Sequence, residues 1–415
     1  MVPNGWEVKK LESLASVERG KFSARPRNDP KYYGGEIPFV QTGDIAGSKT
    51  YLKSYSQTLN EEGLKVSRLF PKNTILITIA ANIGDVAITS FDVACPDSLV
   101  AIQAKESMDV VWLYFYLETC QQELDGQATQ NAQKNINLQV LRPLKILTPP
   151  LPEQQKIANI LSTWDKAIGT TERLIDNSTQ QKKALMQQLL TGKKRLLDKS
   201  GKRFEGEWEE VKLQSVLDLM RSGLSRKLEN ENVGIAVIRS NNMGSKYTNN
   251  VDLKYWYLDD PQGANVSNYI LDDGDLLVNF INSLSQIGKA CIYRKNLDVD
   301  AIYTTNILRI KPNTDKVDPI YLYLLTQTAN YDSYITSITK PAVNQASFTT
   351  KEFGNLKFNL PSLKEQQKIA TVLTNADKEI ELLEQQLADL QQEKKALMQV
   401  LLTGKKRVVV DGESL

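Results

Sequence analysis

Apolar residues recur at alternating steps of three and four positions in two long stretches of the chain. The first runs from Glu153 to Leu190 and the second from Glu365 to Leu401. This spacing keeps apolar side chains on one helix face over about five heptads, which is typical of a coiled-coil seam. The predicted seam residues are Ile157, Ile160, Trp164, Ile168, Leu174 and Leu185 in the first helix, and Ile369, Val372, Ile380, Leu383, Leu387, Leu390 and Leu397 in the second.

Both stretches carry matching helix start and stop signals. Proline stands at or just before the first turn of each, in LPEQ and PSLKEQ, and an early glutamate suits the helix dipole. The sequence TGKKR ends each stretch, with Gly192 and Gly404 free to take a left-handed cap and cations placed at the negative end of the dipole. Each helix would be roughly 60 Å long.

The two helices are complementary in the middle. The first has polar residues there, Thr171 and Ser178, whereas the second is rich in leucine. An antiparallel pair would place Thr171 near Leu387 and Ser178 near Ile380, so each layer keeps one apolar partner. Two copies in one chain favour pairing with each other. Packing of each helix on its own body, or on another chain, remains the alternative.

Short apolar runs bounded by Gly, Pro, Asn and Asp predict strands in the rest of the chain. Those of the first body lie within 37–45, 73–77 and 83–88, and those of the second within 235–243, 274–278 and 287–292. Met108 to Gln122 and Pro319 to Ala329 are predicted to be helical. The matching order predicts two mixed α/β bodies, mostly sheet, built on one fold.

The chain repeats itself after 212 positions. EQQKIANIL (153–161) returns as EQQKIATVL (365–373), and KKALMQQLLTGKKR (182–195) returns as KKALMQVLLTGKKR (394–407). The predicted class is therefore α+β, with a pseudo-twofold internal repeat and two helices forming an antiparallel coiled coil. The predicted domains are a first body (1–150), a central helix (151–196), a second body (205–362) and a C-terminal helix (363–407).

Composition narrows the possible chemistry. The chain contains no histidine, which removes His-based acid–base and nucleophile arrangements and most zinc sites. Three scattered cysteines fit a reducing cytoplasm, and no signal peptide or membrane-spanning run is predicted. The net charge is only +2, with the basic surplus concentrated in 151–204. If the chain binds DNA, it must therefore do so through local basic loops or with help from partners.

The order of these motifs resembles the specificity subunit of Type I restriction–modification systems from end to end. The opening segment GKFSARPRNDPKYYGGEIPFVQTGDI is similar to the start of a target-recognition domain, while the second body has Asn241-Asn242 where the first has Gly43-Asp44. The resemblance implies that each body reads half of a bipartite double-stranded DNA site and that the helices set the gap.

The resemblance also implies partners and cofactors. Two methyltransferase subunits would dock on this chain and carry S-adenosylmethionine for adenine methylation. Two motor-nuclease (restriction) subunits, using ATP and Mg, would complete the restriction complex. No cofactor and no catalysis are expected of the chain itself, which shows no amino-methylation motif, glycine-rich cofactor loop or phosphate-binding loop.

Base readout favours Arg, Lys, Asn and Gln beside aromatic or hydroxyl side chains. The candidate DNA-binding residues of the first body are Lys21, Arg25, Arg27, Tyr32, Gln41, Thr42, Asn82, Gln127, Thr129, Gln130 and Asn131. Those of the second body are Arg221, Ser225, Arg226, Lys227, Arg239, Asn241, Asn279, Asn282, Gln286, Lys340 and Asn344. For each residue the competing interpretation is an ordinary solvated loop position.

Partner docking is predicted on exposed polar helix faces that include Gln154, Gln155, Gln187 and Gln188 and their repeats in the second helix. Three other interpretations remain open. One is the recognition subunit of a split-site system whose partner fuses methylation and cleavage. Another is a coiled-coil scaffold carrying two carbohydrate- or protein-binding modules, which would lack salt-sensitive DNA binding. The third, an enzyme of unfamiliar type, is disfavoured by the missing histidines and motifs.

Overall fold

A computed structural model describes residues 2–80, 82–127, 135–343 and 345–410. Contacts divide the chain into two units, Met1–Arg173 with Glu384–Leu415, and Leu174–Leu383. Each unit therefore combines one body with part of each long helix, although these parts are far apart in sequence. None of the helices in the described ranges is long and apolar enough to cross a membrane.

The first body is built mainly from short strands. Its strands are β1 (Glu7–Lys10), β2 (Ala15–Arg19), β3 (Tyr33–Phe39), β4 (Tyr51–Leu52), β5 (Gln57–Leu59), β6 (Leu69–Phe70), β7 (Ile75–Thr78), β8 (Val86–Thr89), β9 (Val93–Ala94), β10 (Leu99–Ala104) and β11 (Lys145–Thr148). Its helices are α1 (Leu11–Leu14), α2 (Thr42–Ala46), α3 (Glu61–Lys65), α4 (Val110–Thr119), α5 (Gln121–Gly126) and α6 (Leu138–Leu141), after which α7 (Leu151–Leu189) begins.

The central strands of this body are buried on both faces. Every residue of β7 and β8 is buried, which explains why both read as continuous apolar runs instead of alternating ones. Helix α4 places Trp112 and Phe115 in the same core. Asp109 starts that helix because its Oδ1 accepts a hydrogen bond from the Trp112 amide at 2.8 Å.

The second body has a similar content. Its strands are β12 (Glu209–Lys212), β13 (Leu217–Ser222), β14 (Gly234–Ile238), β15 (Lys254–Tyr257), β16 (Leu276–Asn279), β17 (Ile281–Asn282), β18 (Ala290–Ile292), β19 (Ala301–Tyr303), β20 (Ile307–Pro312), β21 (Lys340–Pro341), β22 (Ala346–Ser347) and β23 (Lys357–Leu360). Its helices are α8 (Pro319–Leu325), α9 (Ala329–Ile338) and α10 (Thr350–Gly354), and α11 (Leu363–Leu401) follows.

Strand order shows that the two bodies share one topology. The sheet order β2-β10-β7-β8 in the first matches β13-β20-β16-β18 in the second. A parallel pair, β3 with β9, likewise corresponds to β14 with β19. The faint sequence repeat of the bodies is therefore a repeat of fold.

Several predicted elements differ from the structure at their ends. The long helices predicted over 151–196 and 363–407 end at Leu189 and Leu401, and the run 235–243 is a strand only to Ile238. The helix predicted over Met108–Gln122 stops at Thr119, and a separate helix starts at Gln121. The helix predicted over Pro319–Ala329 stops at Leu325, and α9 begins at Ala329. The run 37–45 is a strand only to Phe39, and α2 starts at Thr42.

New caps explain two of these differences. The Thr328 hydroxyl accepts a hydrogen bond from the Tyr331 amide at 3.3 Å, which starts α9. The Gln41 amide donates to Asp44 Oδ2 at 2.7 Å, which turns the chain into α2. Local side-chain hydrogen bonds of this kind override an apolar run.

Within each unit the long helices run antiparallel. In the first unit Lys394 Nζ lies 2.7 Å from Asp165, and further along Arg407 pairs with Glu153. In the second unit Lys182 pairs with Asp377, and Arg195 pairs with Glu365. From one ion pair to the next, the residue number along α7 rises while that along α11 falls. The predicted intramolecular antiparallel pairing is therefore confirmed.

The helix ends also pack on the bodies. Ile157 and Leu161 of α7, with Leu401 of α11, belong to the first body's core. Leu189 of α7 and Ile369 of α11 belong to the second body's core. The two packing modes proposed from the sequence, on the partner helix and on the body, therefore coexist.

Leu174 departs from the predicted seam. Its side chain is 46% exposed, whereas the other predicted seam residues are buried or half-buried. Thr171, predicted in the polar middle of the seam, is buried, and Ile175 and Ser178 follow it half-buried at steps of four and three. The helical period therefore carries Leu174 off the face that packs, and the prediction for this residue was wrong.

The repeated TGKKR motif ends each helix with a left-handed glycine, as predicted. Gly192 has φ 71° and Gly404 has φ 68°. The final arginines do more than face the dipole. Arg195 Nε and Nη2 donate to the two carboxylate oxygens of Glu365 at 2.6 and 2.7 Å, and Arg407 binds Glu153 in the same way. We call Glu153 with Arg407 the first end pair and Glu365 with Arg195 the second end pair.

Candidate nucleic-acid interface

The second body contains a polar cavity of about 340 Å³ beside several predicted DNA-binding residues. Its walls come from the segments that follow β13, β14 and β19. The lining residues are Leu224, Ser225, Arg226, Arg239, Ser240, Asn241, Thr304, Thr305 and Asn306. Guanidinium, amide and hydroxyl groups predominate, and these groups can hydrogen-bond to base edges.

Arg226 is held rigidly at this cavity. Its Nε and Nη2 reach Asp260 at 3.1 and 2.6 Å, and the Asp260 side chain is fully buried. The Arg226 guanidinium, helped by the amides of Gln262 and Ala264, holds the pKa of Asp260 well below its usual range. Much of the Arg226 donor capacity is therefore committed within the body.

Arg239 has more capacity left for a ligand. Its Nη2 pairs with Asp252 Oδ2 at 2.9 Å, and a quarter of the side chain is exposed. Its Nε is buried and has no hydrogen-bond partner among the described residues. Lys254 and Arg239 together lower the pKa of Asp252, so this carboxylate stays ionised and orients the guanidinium.

Ser240 links two predicted residues to the cavity. Its hydroxyl donates to Asn279 Oδ1 at 2.9 Å and accepts from Asn282 Nδ2 at 3.1 Å. Both asparagines are among the residues predicted from the sequence, but this serine is not. Three further lining residues, Thr304, Thr305 and Asn306, were also missed. The available signal was a polar triplet directly after the apolar run Ala301–Tyr303.

The first body contains a cavity of about 350 Å³ with a more aromatic lining. The lining residues are Phe22, Arg27, Asn28, Tyr33, Phe39, Gln41, Gln57 and Pro96. Arg27 and Gln41 are the predicted residues that it brings together. Gln41 Nε2 donates to Gln57 Oε1 at 3.0 Å, so Gln57 joins the candidates although sequence analysis did not name it.

Arg27 is held less tightly than Arg226. Its Nη2 lies 2.9 Å from Asp97 Oδ2, and about half of its side chain is exposed. The hydrogen bond from Arg27 lowers the pKa of Asp97. Screening by water makes an exposed pair of this kind weak, so Arg27 can leave Asp97 for another anion at little cost.

The two cavities occupy equivalent places in the repeated fold. Each is built from the segment after the first strand of the larger sheet, the start of the helical turn after β3 or β14, and the segment after β9 or β19. The framework is shared and the lining side chains differ. Such an arrangement can present two different hydrogen-bonding surfaces from one scaffold.

The other predicted DNA-binding residues that fall within the described ranges do not line these cavities. Thr42 opens α2 beside Gln41 and is half-buried, and Tyr32 packs edge-on against Phe22 at 6.1 Å. Those on exposed or half-exposed positions elsewhere are Lys21, Arg25, Asn82, Gln127, Arg221, Lys227, Gln286 and Lys340. Thr129, Gln130, Asn131 and Asn344 lie outside the described residues.

The proposed docking face of the helices changes at one position. Gln154 is 1% exposed, and its Oε1 accepts from the Asp109 amide at 2.8 Å. Its repeat, Gln366, is buried in the same way and accepts from the Asp318 amide at 2.9 Å. Gln154 therefore caps a body helix, whereas Gln155, Gln187 and Gln188 are exposed, as are the repeats Gln367 and Gln399. Across the ranges that the structure covers, no cluster of acidic or cysteine side chains could hold a metal ion.

Comparison with known sequences agrees with this repeat. The family model described as Type I restriction modification DNA specificity domain matches residues 3–177 and 205–392. The chain is 25% identical to the Type I restriction enzyme MjaVIII specificity subunit of Methanocaldococcus jannaschii, covering 98% of this chain and 94% of that protein. It is 20% identical to the Type I restriction enzyme EcoKI specificity subunit of Escherichia coli, covering 89% and 81%.

Solved structures share the fold. The Type I restriction–modification S subunit of M. genitalium superimposes with a TM-score of 0.56 at 16% identity, over 97% of both chains. The HsdS subunit of Thermoanaerobacter tengcongensis gives a TM-score of 0.53 at 17% identity, over 98% of both chains. A chain from a structure concerned with complex assembly and conformational transition of the type I R-M system gives 0.60 at 16% identity, over 98% of this chain and 100% of that one.

Proposed function

The chain belongs to the family of Type I restriction–modification DNA specificity subunits, and we propose that each of its two bodies reads one half of a bipartite double-stranded DNA site. The first body would use the cavity that contains Arg27 and Gln41. The second would use the cavity that contains Arg239, Asn241 and the Ser240 network.

One observation carries this proposal. Equivalent cavities lie at equivalent places in two copies of one fold, and their lining side chains differ. Bidentate Arg and Asn or Gln contacts distinguish base pairs in the major groove, each contributing about 1–3 kcal/mol. Two surfaces with different donors and acceptors are therefore expected to select two different half-sites.

We propose that the helices fix the number of base pairs between the half-sites. DNA repeats about every 10.5 base pairs, so the spacing that a protein accepts follows from its geometry. The exposed Gln155, Gln187 and Gln188 are candidates for contacts with methyltransferase subunits. Two such subunits, carrying S-adenosylmethionine, would methylate adenine, and two restriction subunits using ATP and Mg would complete the complex. The chain itself would supply recognition and no catalysis.

A methylation map tests the proposal directly. The chain is co-expressed with its cognate methyltransferase subunit in a host that lacks adenine methylation, and modified bases are located by sequencing. We expect a two-part motif with a fixed gap, which disappears when this chain is omitted. A folded and co-purifying methyltransferase that yields no motif would contradict the proposal.

Salt dependence provides a second measurement. Phosphate contacts release counterions, so DNA binding by the complex should weaken steeply as salt rises. If the complex does not bind DNA even at low salt, the result would favour a scaffold with two carbohydrate- or protein-binding modules. A motif produced only with a partner that fuses methylation and cleavage would identify the other split-site system.

A further inference from the structure

An aspartate on each long helix contacts both the other helix and a loop of the body. In the first unit, Asp165 Oδ1 pairs with Lys394 of α11 at 2.7 Å, and its Oδ2 accepts from the Thr50 hydroxyl at 2.9 Å. In the second unit, Asp377 Oδ1 pairs with Lys182 of α7, and its Oδ2 pairs with Lys246 at 2.9 Å. Each carboxylate therefore joins three elements of its unit.

The two body loops are structurally equivalent. The Thr50 carbonyl accepts from the Ile88 amide at 2.9 Å, and the Lys246 carbonyl accepts from the Ile292 amide at 2.8 Å. Ile88 and Ile292 lie on the matching strands β8 and β18. Glu118 Oε2 also lies 3.8 Å from Lys394 Nζ. We call Asp165, Lys394, Thr50 and Glu118 the first junction, and Asp377, Lys182 and Lys246 the second junction.

Each junction lies close in sequence to a cavity. In the first body, nine positions separate Gln41, which lines the cavity, from Thr50. In the second body, seven positions separate Arg239 from Lys246. Helix α2 fills most of the first interval, and a 3-10 turn, Ser240–Asn242, fills part of the second. The backbone between each cavity and the long helix is therefore short and partly ordered.

These ion pairs are partly buried, so water screens them less than it screens surface pairs. The side chains of Asp377, Lys246 and Lys394 are each only 13–14% exposed. Partly buried charges are screened less than surface ones, and losing one partner leaves the other in a poor environment. At Asp377, burial alone would raise the pKa, but hydrogen bonds from Lys182 and Lys246 outweigh it and leave the pKa below its usual value.

We propose that Asp165 and Asp377 are positioning residues that fix the rotation of each cavity relative to the helices of its own unit. The inference rests on the proposed function, because a fixed rotation matters only if the cavities read half-sites at a set gap. One base pair rotates DNA by about 34°, so a body free to rotate would accept neighbouring gap lengths. The junctions would therefore restrict the gap, separately from the cavities that select bases.

The test uses the full chain in its methyltransferase complex and a plasmid library. Each plasmid carries the two half-sites found for the unmodified protein, separated by gaps from two base pairs shorter to two longer. Lys246→Met and Thr50→Val remove the body's side of each junction while nearly keeping side-chain volume. Lys246→Arg and Thr50→Ser retain the donor, and Lys295→Met removes a lysine of the second body that instead pairs with Asp300.

We expect Lys246→Met to lower the methylation ratio of native gap to one-base-pair neighbours by about tenfold, because Asp377 keeps Lys182 of α7 but loses its partly buried bond to the body. Thr50→Val should lower it less, since it removes a neutral donor. The Arg, Ser and Lys295 variants should keep the unmodified profile. Half-site sequences should stay the same in every variant.

Two results would overturn the inference. The first is an unchanged gap profile in Lys246→Met and Thr50→Val, with methylation retained. The second is an equal loss at all gaps together with lost hydrogen-exchange protection, which would assign the junctions to stability alone. Failure of the unmodified protein to yield any two-part motif would instead contradict the proposed function, so the two failures are distinguishable.

Discussion

The two junctions join the same elements with opposite charge. In the first, Lys394 lies between two carboxylates, 2.7 Å from Asp165 and 3.8 Å from Glu118. In the second, one carboxylate, Asp377, lies between two lysines. The repeat has therefore kept the place of the contact and changed the side chains that make it. The two junctions therefore share the positions of their contacts but differ in the charges of the side chains that make them.

The cavities differ in the same sense. The first has three aromatic residues in its lining and one arginine, held by an exposed aspartate. The second has two arginines, one of them locked to a buried aspartate, and a hydroxyl–amide network. A shared frame with different linings separates stability from specificity. Variants at matched positions of the two units can test that separation.

The largest expected difference concerns the end pairs. Glu365→Gln should destabilise the second unit by about 3 kcal/mol, because it removes the negative charge of the buried partner of Arg195, which is only 20% exposed. Glu153→Gln should cost the first unit about 1 kcal/mol, because Arg407 is 41% exposed and water can solvate it. Urea unfolding followed by hydrogen exchange in each unit measures both changes.

The matched control for these two variants is Asp389→Asn on the exposed face of α11. The Asp389 carboxylate accepts a hydrogen bond from Gln385 at 2.9 Å on the same exposed face, so removing its charge should leave both units close to their original stability. Equal losses in the two glutamate variants would show that exposure of the arginine does not decide the effect. The difference in burial would then have no energetic meaning.

The next comparison concerns the arginines of the two cavities. Arg226→Ala should lower the melting temperature of the second body by roughly 5 °C, because it removes the main partner of the buried Asp260 carboxylate. Arg27→Ala should leave the first body's melting temperature nearly unchanged but weaken DNA binding. Thermal melts and DNA titrations of the same preparations check both expectations. A stable Arg226→Ala protein would contradict the structural role assigned to this pair.

The sequence repeat predicted the architecture well because each copy tests the other. Helical spacing, proline entry and glycine exit recur at matched positions, and the structure has helices over Leu151–Leu189 and Leu363–Leu401. Leu174 shows the limit of that approach. A leucine near the expected spacing was predicted as a seam residue, but the buried face passes through Thr171, the polar seam position that was also predicted.

The cavity linings were harder to predict for a different reason. Arg27, Gln41, Arg226, Arg239 and Asn241 stood out as base-reading types. Small polar residues such as Ser240 and Thr305 did not, because their importance depends on strands that meet only in the folded body. Gln154 was wrongly predicted to be exposed for the same reason. No pattern in the neighbouring sequence indicates that its side-chain amide caps a helix that begins 45 positions earlier.

A smaller effect should separate the two half-sites. Arg239→Ala should relax base selection in one half-site by about 1–3 kcal/mol and leave the other half-site intact. Gln41→Ala should do the reverse, because it lines the cavity of the first body. Methylation of a library with single-base changes in each half-site measures both. Equal relaxation at both half-sites would show that Arg239 acts through folding.

The smallest effect returns to the charges of the junctions. Burial raises the pKa of Glu118, and the nearby Lys394 only partly offsets this. The folded protein then holds a proton more tightly than the unfolded chain, so Glu118 makes the first unit more stable as pH falls through its raised pKa. Glu118→Gln imitates the protonated form and should stabilise the first unit at pH 7 by less than about 1 kcal/mol.

Asp377→Asn should change stability at pH 7 in the opposite direction, making the second unit less stable. The pKa of Asp377 is lowered, so its contribution is present above the unfolded value and is lost as pH falls through the folded one. The stability that Glu118→Gln gains over the unmodified protein at pH 7 should disappear in acid. The stability that Asp377→Asn loses at pH 7 should also become smaller in acid. Unfolding curves from pH 7 to pH 3 follow both. If both variants change stability in the same direction at pH 7, the charge reversal between the junctions has no energetic consequence.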